Sequence, residues 1–362
     1  MPPDAQIRQF ELADREALLA FLRVAYPDDP RKSEPVYWRW HYLENPQTDP
    51  GNVPLWVVTN GERIVGQVAT IPVRLKVGAE ETLAIWILDF IVHEDYRGQG
   101  LGKRLMGEAR RFCPTMLALG INEGSTAVLL KTGWKAMGGV RRYQRLLFPG
   151  NDLKGASRFA PLRGLVNLCY GPFRPRLKGA RQGRWTAREV KEFDASFDEF
   201  WKEAGRQWPC AVVRDARNLD WQFKRQPGKK FDVIGLYEQE RLVGYAALFF
   251  RKAGLVGAPA KASIADICYL AESAPEVIDE LLRAALRLAV ERRAGSLVTD
   301  VHDARLEERL KLLGFWRIRK SPQFMAHATG GREQLMYDPA NWFLTRGDSD
   351  VSIFEHPNVE EQ

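Results

Sequence analysis

Three glycines spaced two apart, Gly98, Gly100 and Gly102, follow the apolar run at 88–92 and precede a basic amphipathic stretch that ends at Phe112. Glycine lacks the Cβ that holds other residues away from a ligand. A helix starting here turns its free N–H groups and positive dipole end into the loop. The chemistry this favours is capture of an anion, above all a pyrophosphate. Three cradle designs compete. A GxxxxGK[ST] loop fails, because Arg104 follows Lys103 and Arg97 stands in the first glycine's place. A dinucleotide GxGxxG is weak, because Lys103 replaces its third glycine and no parallel βαβ unit follows. The run Arg97-Gly98-Gln99-Gly100-Leu101-Gly102 fits the third design, RxxGxG between a strand and a helix, without a gap. Leu101, Leu105, Ala109 and Phe112 then share one helical face.

The elements around this loop recur about 180 residues later. "YWRWHYLENP" at 37–46 is echoed by "LDWQFKRQP" at 219–227, with Trp40 over Trp221. The segment 55–78 aligns with 232–254, both reading as two strands joined by a tight turn, marked in the first copy by Asn60-Gly61. Asp89 falls over Asp266, and Gly133-Trp134 over Gly314-Phe315. The repeated order of strand, helix, hairpin, strand, helix, strand, helix, strand predicts an α/β fold. Each copy is a mixed, mostly antiparallel sheet with helices on its faces. The first domain is expected at 5–150 and the second at 183–332. A basic linker at 151–182 joins them and carries a short helix around 161–170, and a tail at 333–362 docks through Trp342, Phe343, Leu344, Ile353 and Phe354. The second copy has no glycine in its loop, where Glu272, Glu276, Asp279 and Glu280 repel phosphate. Pro275 starts its helix.

"IVHEDYRGQGLGKRLM" resembles the acetyl-CoA-binding motif of the GCN5-related N-acetyltransferase (GNAT) superfamily. The first copy also resembles that family in its order of elements, down to Asn122 and the Gly-Trp pair 11 residues later. The resemblance covers most of the chain in architecture, and residues 86–134 in motif detail. It implies a coenzyme A thioester, acetyl-CoA, as co-substrate. Phe90 and Val92 would lie on a splayed strand along the pantetheine arm, Arg97, Gly98, Gln99, Gly100, Leu101, Gly102 and Lys103 would hold the pyrophosphate, and Asn122 would touch the arm. The second copy is then a degenerate domain that binds no coenzyme A.

Acyl transfer to an amine requires a deprotonated amine, a stabilised oxyanion and a protonated leaving thiolate. Asp89, in an apolar strand that would raise its pKa, is the candidate base. A structural role competes evenly, since Asp266 keeps the position where the cofactor loop is lost. The tyrosine that many family members use as general acid is replaced by Leu129. Ser125 and Thr126 are placed to bond the sulfur, or simply to cap a helix. Tyr37 and Trp38 are the acceptor candidates of the cluster Tyr37, Trp38, Trp40 and Tyr42, while Trp40 reads as core because it recurs. Asp348 and Asp350 read as a surface turn, with a cationic amine as their other reading.

Composition narrows the classes. No apolar run is long enough to span a bilayer, and the N-terminal stretch is no secretory signal, which points to the cytoplasm. Cys113, Cys169, Cys210 and Cys268 and the five histidines show no metal spacing, so no metal is expected. The net charge of +7 is concentrated between 138 and 191, where 13 Lys or Arg face Asp152 and Glu189 alone. That stretch reads as a solvated linker; a polyanion, an anionic substrate and a membrane surface are the other readings. The expected activity is transfer of an acetyl group to a small-molecule amine, with nucleic acid disfavoured as a partner. The alternatives are a Fem-type aminoacyl or peptidyl transferase using charged tRNA, and a non-catalytic acyl-CoA-binding module.

Overall fold

The computed structural model describes residues 5–121, 123–151, 160–175, 184–252, 259–318 and 322–349. The first copy comprises β1 (Ala5–Gln9), α1 (Arg15–Ala25), α2 (Pro35–Tyr42), β2 (Leu55–Asn60), β3 (Arg63–Val77), β4 (Glu80–Val92), α3 (Leu101–Phe112), β5 (Met116–Leu119), α4 (Glu123–Lys131), β6 (Lys135–Gly139) and β7 (Arg141–Leu146). Helix α5 (Ala160–Cys169) lies in the connection. The second copy follows with β8 (Thr186–Glu189), α6 (Ala195–Ala204), β9 (Cys210–Val212), α7 (Ala216–Phe223), β10 (Phe231–Glu238), β11 (Arg241–Lys252) and β12 (Pro259–Tyr269). It continues through α8 (Glu276–Glu291), β13 (Ser296–His302), α9 (Ala304–Leu312), β14 (Trp316–Arg317) and β15 (Gln323–His327). The chain then adds α10 (Glu333–Met336) and β16 (Trp342–Thr345).

Alternation builds the layers. In β2, Leu55 and Val57 pack with Leu18, Leu22 and Trp38 beneath α1 and α2. Trp56 and Val58 point the other way, onto Leu101, Leu105 and Ala109 of α3. Two-residue turns close both hairpins, Asn60 pairing with Arg63 and Glu238 with Arg241. Gly61 and Gln239 carry the positive φ, +60° and +54°, at the first position of each turn.

The strands described join in one mixed sheet, antiparallel except where β4 meets β5, β12 meets β13 and β16 meets β9. The copies also trade their last strands. β7 leaves the first copy to pair with β13 and β14, and β15 leaves the second to pair with β5 and β6. The sequence boundaries at 150 and 183 separate the repeats along the chain, but the hydrogen bonding crosses them. The tail adds a further link: β16 sits between β9 and β13, with Trp342, Phe343 and Leu344 buried. At the junction Trp40 and Trp221 stack with centroids 4.9 Å apart. Each indole Nε1 donates to the other residue's carbonyl, at 3.0 and 3.1 Å. This is the self-complementary contact of a two-fold dimer, made within one chain.

Candidate active site

The site begins with a bulge. Ala69 of β3 faces Leu88 of β4, but Gln67 faces Ile91, so β4 carries one residue more than its partner. Asp89 in the bulge adopts φ +38°, a strained conformation for a residue with a side chain. The second copy bulges at the equivalent place, Ala247 facing Asp266 and Leu248 facing Ile264. Beyond the bulge, β4 runs past the start of α3 and leaves an open cavity.

That cavity holds about 690 Å³ and is bounded by Phe90, Ile91 and Val92 of β4, by the glycine loop and by α4. Gly98 and Gly100 adopt φ +78° and +74°, and a Cβ at either would meet nothing within 4 Å, so the cradle is open where a ligand would lie. At Gly102 a Cβ would come within 3.1 Å of the Phe90 ring, which explains a glycine with ordinary φ. The first helical bond of α3 runs from Arg104 N–H to Gly100 O at 3.2 Å. The N–H groups of Leu101, Gly102 and Lys103 precede it and face the loop. Arg97, Lys103 and Lys131 line the cavity, and no acidic side chain is among its described lining residues. The site therefore suits an elongated anion with an apolar arm.

Most of the residues singled out from sequence converge here. Phe90, Val92, Arg97, Gly98, Gly100, Leu101, Gly102, Lys103 and Ser125 all line the cavity. Gln99 does not; its amide turns back to Asp95 O, at 3.5 Å. Asn122 lies outside the described residues. The Val92 carbonyl accepts from Arg97 Nε at 2.9 Å, so Arg97 is fastened to the strand rather than reaching out from the loop. Leu129, at the position of the family's tyrosine, is buried against the α3 core. Val128 and Thr132 face the cavity instead. Tyr26, Tyr96 and Lys131 also line it and escaped the sequence reading. Lys131 reads as an ordinary basic residue in a last helical turn, and Tyr26 as the end of an amphipathic helix.

The apolar setting expected for Asp89 is corrected. Lys32 Nζ donates to Asp89 Oδ1, and Tyr42 OH donates to Oδ2 at 3.4 Å. The ion pair is almost wholly buried, and the Lys32 ammonium also lies 4.4 Å from the centre of the Tyr26 ring. His41 is buried close by, and burial pushes its pKa down to about 3, Asp89 opposing that shift and Lys32 adding to it. In the second copy Asp266 takes equivalent partners, Arg214, Tyr245 OH at 2.5 Å and Thr345 Oγ1 at 2.7 Å. Both aspartates are thus buried pins at a bulge.

Two other expectations change, at Trp38 and at Asp348, while Tyr37 keeps a place on a cavity wall. Trp38 is 1% exposed, packed against Phe10 and Tyr42, and faces neither the cavity nor solvent. Tyr37 is buried against Trp40 and its hydroxyl accepts from Gln226 at 3.5 Å, which places it at the junction of the copies. Asp348 belongs to no surface turn. It is buried, bonded by Arg214 at 2.6 Å and by Thr345 N–H at 2.7 Å, and desolvation pushes its pKa up to about 6 against the pull of Arg214. Asp350 lies outside the described residues.

The second copy's counterpart loop, Ala271–Ser273 followed by α8, has no glycine. Asp279 in its first turn is clamped by Arg309 at 2.6 and 2.7 Å. Among the described residues no group of three His, Cys, Asp or Glu side chains is placed to hold a metal, and no helix is long and apolar enough to cross a membrane.

Residues 16–134 match the model of the acetyltransferase (GNAT) family. Among solved structures, N-myristoyltransferase of Saccharomyces cerevisiae with bound myristoyl-CoA is similar at a TM-score of 0.59 and 13% identity, over 90% of this chain and 82% of that one. A GCN5-related N-acetyltransferase from Anabaena variabilis gives 0.59 and 13% over 89% of this chain and 72% of that one. A probable N-acyltransferase from Enterococcus faecalis gives 0.60 and 13% over the same shares, 89% and 72%. At such identity the likeness speaks for the fold. No curated protein matches the chain.

Proposed function

We propose, on the match of residues 16–134 to the acetyltransferase (GNAT) family model, that the chain is an acyl-CoA-dependent N-acyltransferase moving an acetyl group from acetyl-CoA to an amine. The observation that carries the proposal is the open glycine cradle of the first copy, lined by Arg97, Lys103 and Lys131 and by no acid among the described residues. The residues fit the co-substrate: the N–H groups at the start of α3 suit the pyrophosphate, and Phe90, Val92 and Val128 suit the pantetheine arm. The acetyl thioester would supply the electrophilic carbonyl.

Around it, the chain's own groups take positioning roles. Ser125 lines the cavity and is the hydroxyl we place beside the sulfur. Asp89, occupied by Lys32 and Tyr42, is a positioning residue: it ties the 26–42 segment to the bulge and so fixes the wall of the cavity. A thiol with a pKa near ~8.5 leaves acceptably without a dedicated acid, which agrees with Leu129 being in the core. The second copy serves as support, its loop closed by acids and arginines.

A panel of small amines with acetyl-CoA, read by release of free thiol, tests the proposal. Amine-dependent release above the rate of spontaneous hydrolysis is expected. Binding of coenzyme A with no transfer to any amine would favour a binding module instead, and longer acyl donors in parallel would correct the acyl group.

A further inference from the structure

A second cavity, of about 680 Å³, opens between the copies, with the 31–37 segment on one side and β10 and β11 on the other. Five cationic side chains line it, Arg31, Lys229, Lys230, Arg251 and Arg292, against two acids, Glu34 and Asp232. Arg292 neutralises Asp232 through bonds of 2.5 and 2.6 Å and Arg31 pairs with Asp29 at 3.3 Å, while Glu34 is exposed. Lys229 lies 4.1 Å from the centre of the Phe249 ring. Burial drives its pKa well down, and Arg346, Arg31 and Arg251 push it the same way. An anion entering this concave surface would favour the charged form of Lys229 and meet Lys230 and Arg251 beside it. Val36, Tyr37, Phe249 and Phe250 beside them offer an apolar wall for a carbon skeleton.

The same short segment borders both cavities. Tyr26 lines the glycine-loop cavity; Lys32 packs over Tyr26 and holds Asp89; Arg31, Glu34 and Tyr37 line the second. We propose that this junction cavity is the acceptor site, and that it selects amines carrying an anionic group, a carboxylate or a phosphate. This rests on the acyltransferase reading above.

The test uses the full chain and matched amines: lysine with cadaverine, tyrosine with tyramine, and glucosamine 6-phosphate with glucosamine. The anion-bearing member of at least one pair is expected to have a kcat/KM about tenfold or more above its partner, the effect of one charge-assisted hydrogen bond. The carboxylate and phosphate pairs tell the two anions apart. In Lys229→Met and in Arg251→Ala that preference should collapse through KM, while coenzyme A affinity and the unfolding midpoint stay close to those of the parent. Equal kcat/KM within every pair, or variants that slow both members alike, would overturn the proposal. If coenzyme A binds but no amine is acetylated, the transferase reading fails, and the cavity is tested alone by calorimetry with inorganic phosphate and with succinate. Heat that both variants abolish supports an anion site; no heat overturns it.

Discussion

Lys32 and Asp89 are a buried ion pair, so removing either partner strands the other charge in a poorly solvated place. Asp89→Asn and Lys32→Met are each expected to cost about 3 kcal/mol in urea unfolding. The double variant should cost less than the two together by more than about 1 kcal/mol; additivity within about 0.5 kcal/mol would contradict the pairing. For activity, a positioning Asp89 predicts that Asp89→Asn lowers kcat/KM without moving the acidic limb of the pH profile. A shifted limb would make it the base. His41 gives a pH dependence of stability. Its folded pKa of about 3 lies below the ordinary 6.5, so the unfolded chain binds the extra proton as pH falls. Stability should therefore decline from pH 6.5 toward 5 by about 1.4 kcal/mol per unit. His41→Gln should flatten that slope, with His327, also lowered by burial, leaving a smaller remainder. Sequence showed Asp89 as a candidate but not its partner, because Lys32 is 57 residues away and no periodicity links them. It misled on Trp38 because α2 is apolar on both faces: Trp38 and Tyr42 serve the α1 core, while Tyr37 and Trp40 face the junction, where Tyr37 also borders the second cavity.

At the scale of elements, hairpins, bulges and the glycine loop were legible because each is set by residues close in sequence: Asn60-Gly61 for the turn, three glycines for the cradle. Partner choice was not. Nothing in the alternation of "QFMAH" at 323–327 says that it enters the first copy between β5 and β6, since an inward-facing strand satisfies either sheet equally well. The exchange has a consequence for dissection. A fragment of residues 1–150 keeps β7 but lacks β15, leaving the edges of β5 and β6 open, and a fragment of 183–362 lacks β7 beside β13. Each alone is expected to aggregate or remain unfolded by circular dichroism, whereas co-expressed they should purify as a one-to-one complex. Two fragments that fold independently would show that the exchange is not needed.

Over the whole molecule, four of the 13 basic residues between 138 and 191 are paired with acids of the second copy, two of them with buried ones. Arg141 pairs with Glu307, Arg142 with Asp300, Arg184 with Glu238 and Arg188 with Glu240, so acids of the second copy absorb charges that sequence alone left facing outward. Binding of tRNA should accordingly be weak and micromolar at best at physiological salt. A sub-micromolar complex whose affinity falls by orders of magnitude with added salt would shift the function toward aminoacyl transfer. The pseudo-symmetric frame, locked by Trp40 on Trp221 and by β16 between the copies, holds two copies, but only one of them carries a glycine cradle among the described residues. Calorimetric titration of the full chain with coenzyme A, beside the Gly100→Glu variant, tests this most directly. The substitution puts a side chain at φ +74° and a carboxylate into the open cradle, at a cost in stability of about 1 kcal/mol. One site per chain is expected in the parent and none in the folded variant. Two sites, none, or unchanged affinity in the variant would contradict the account.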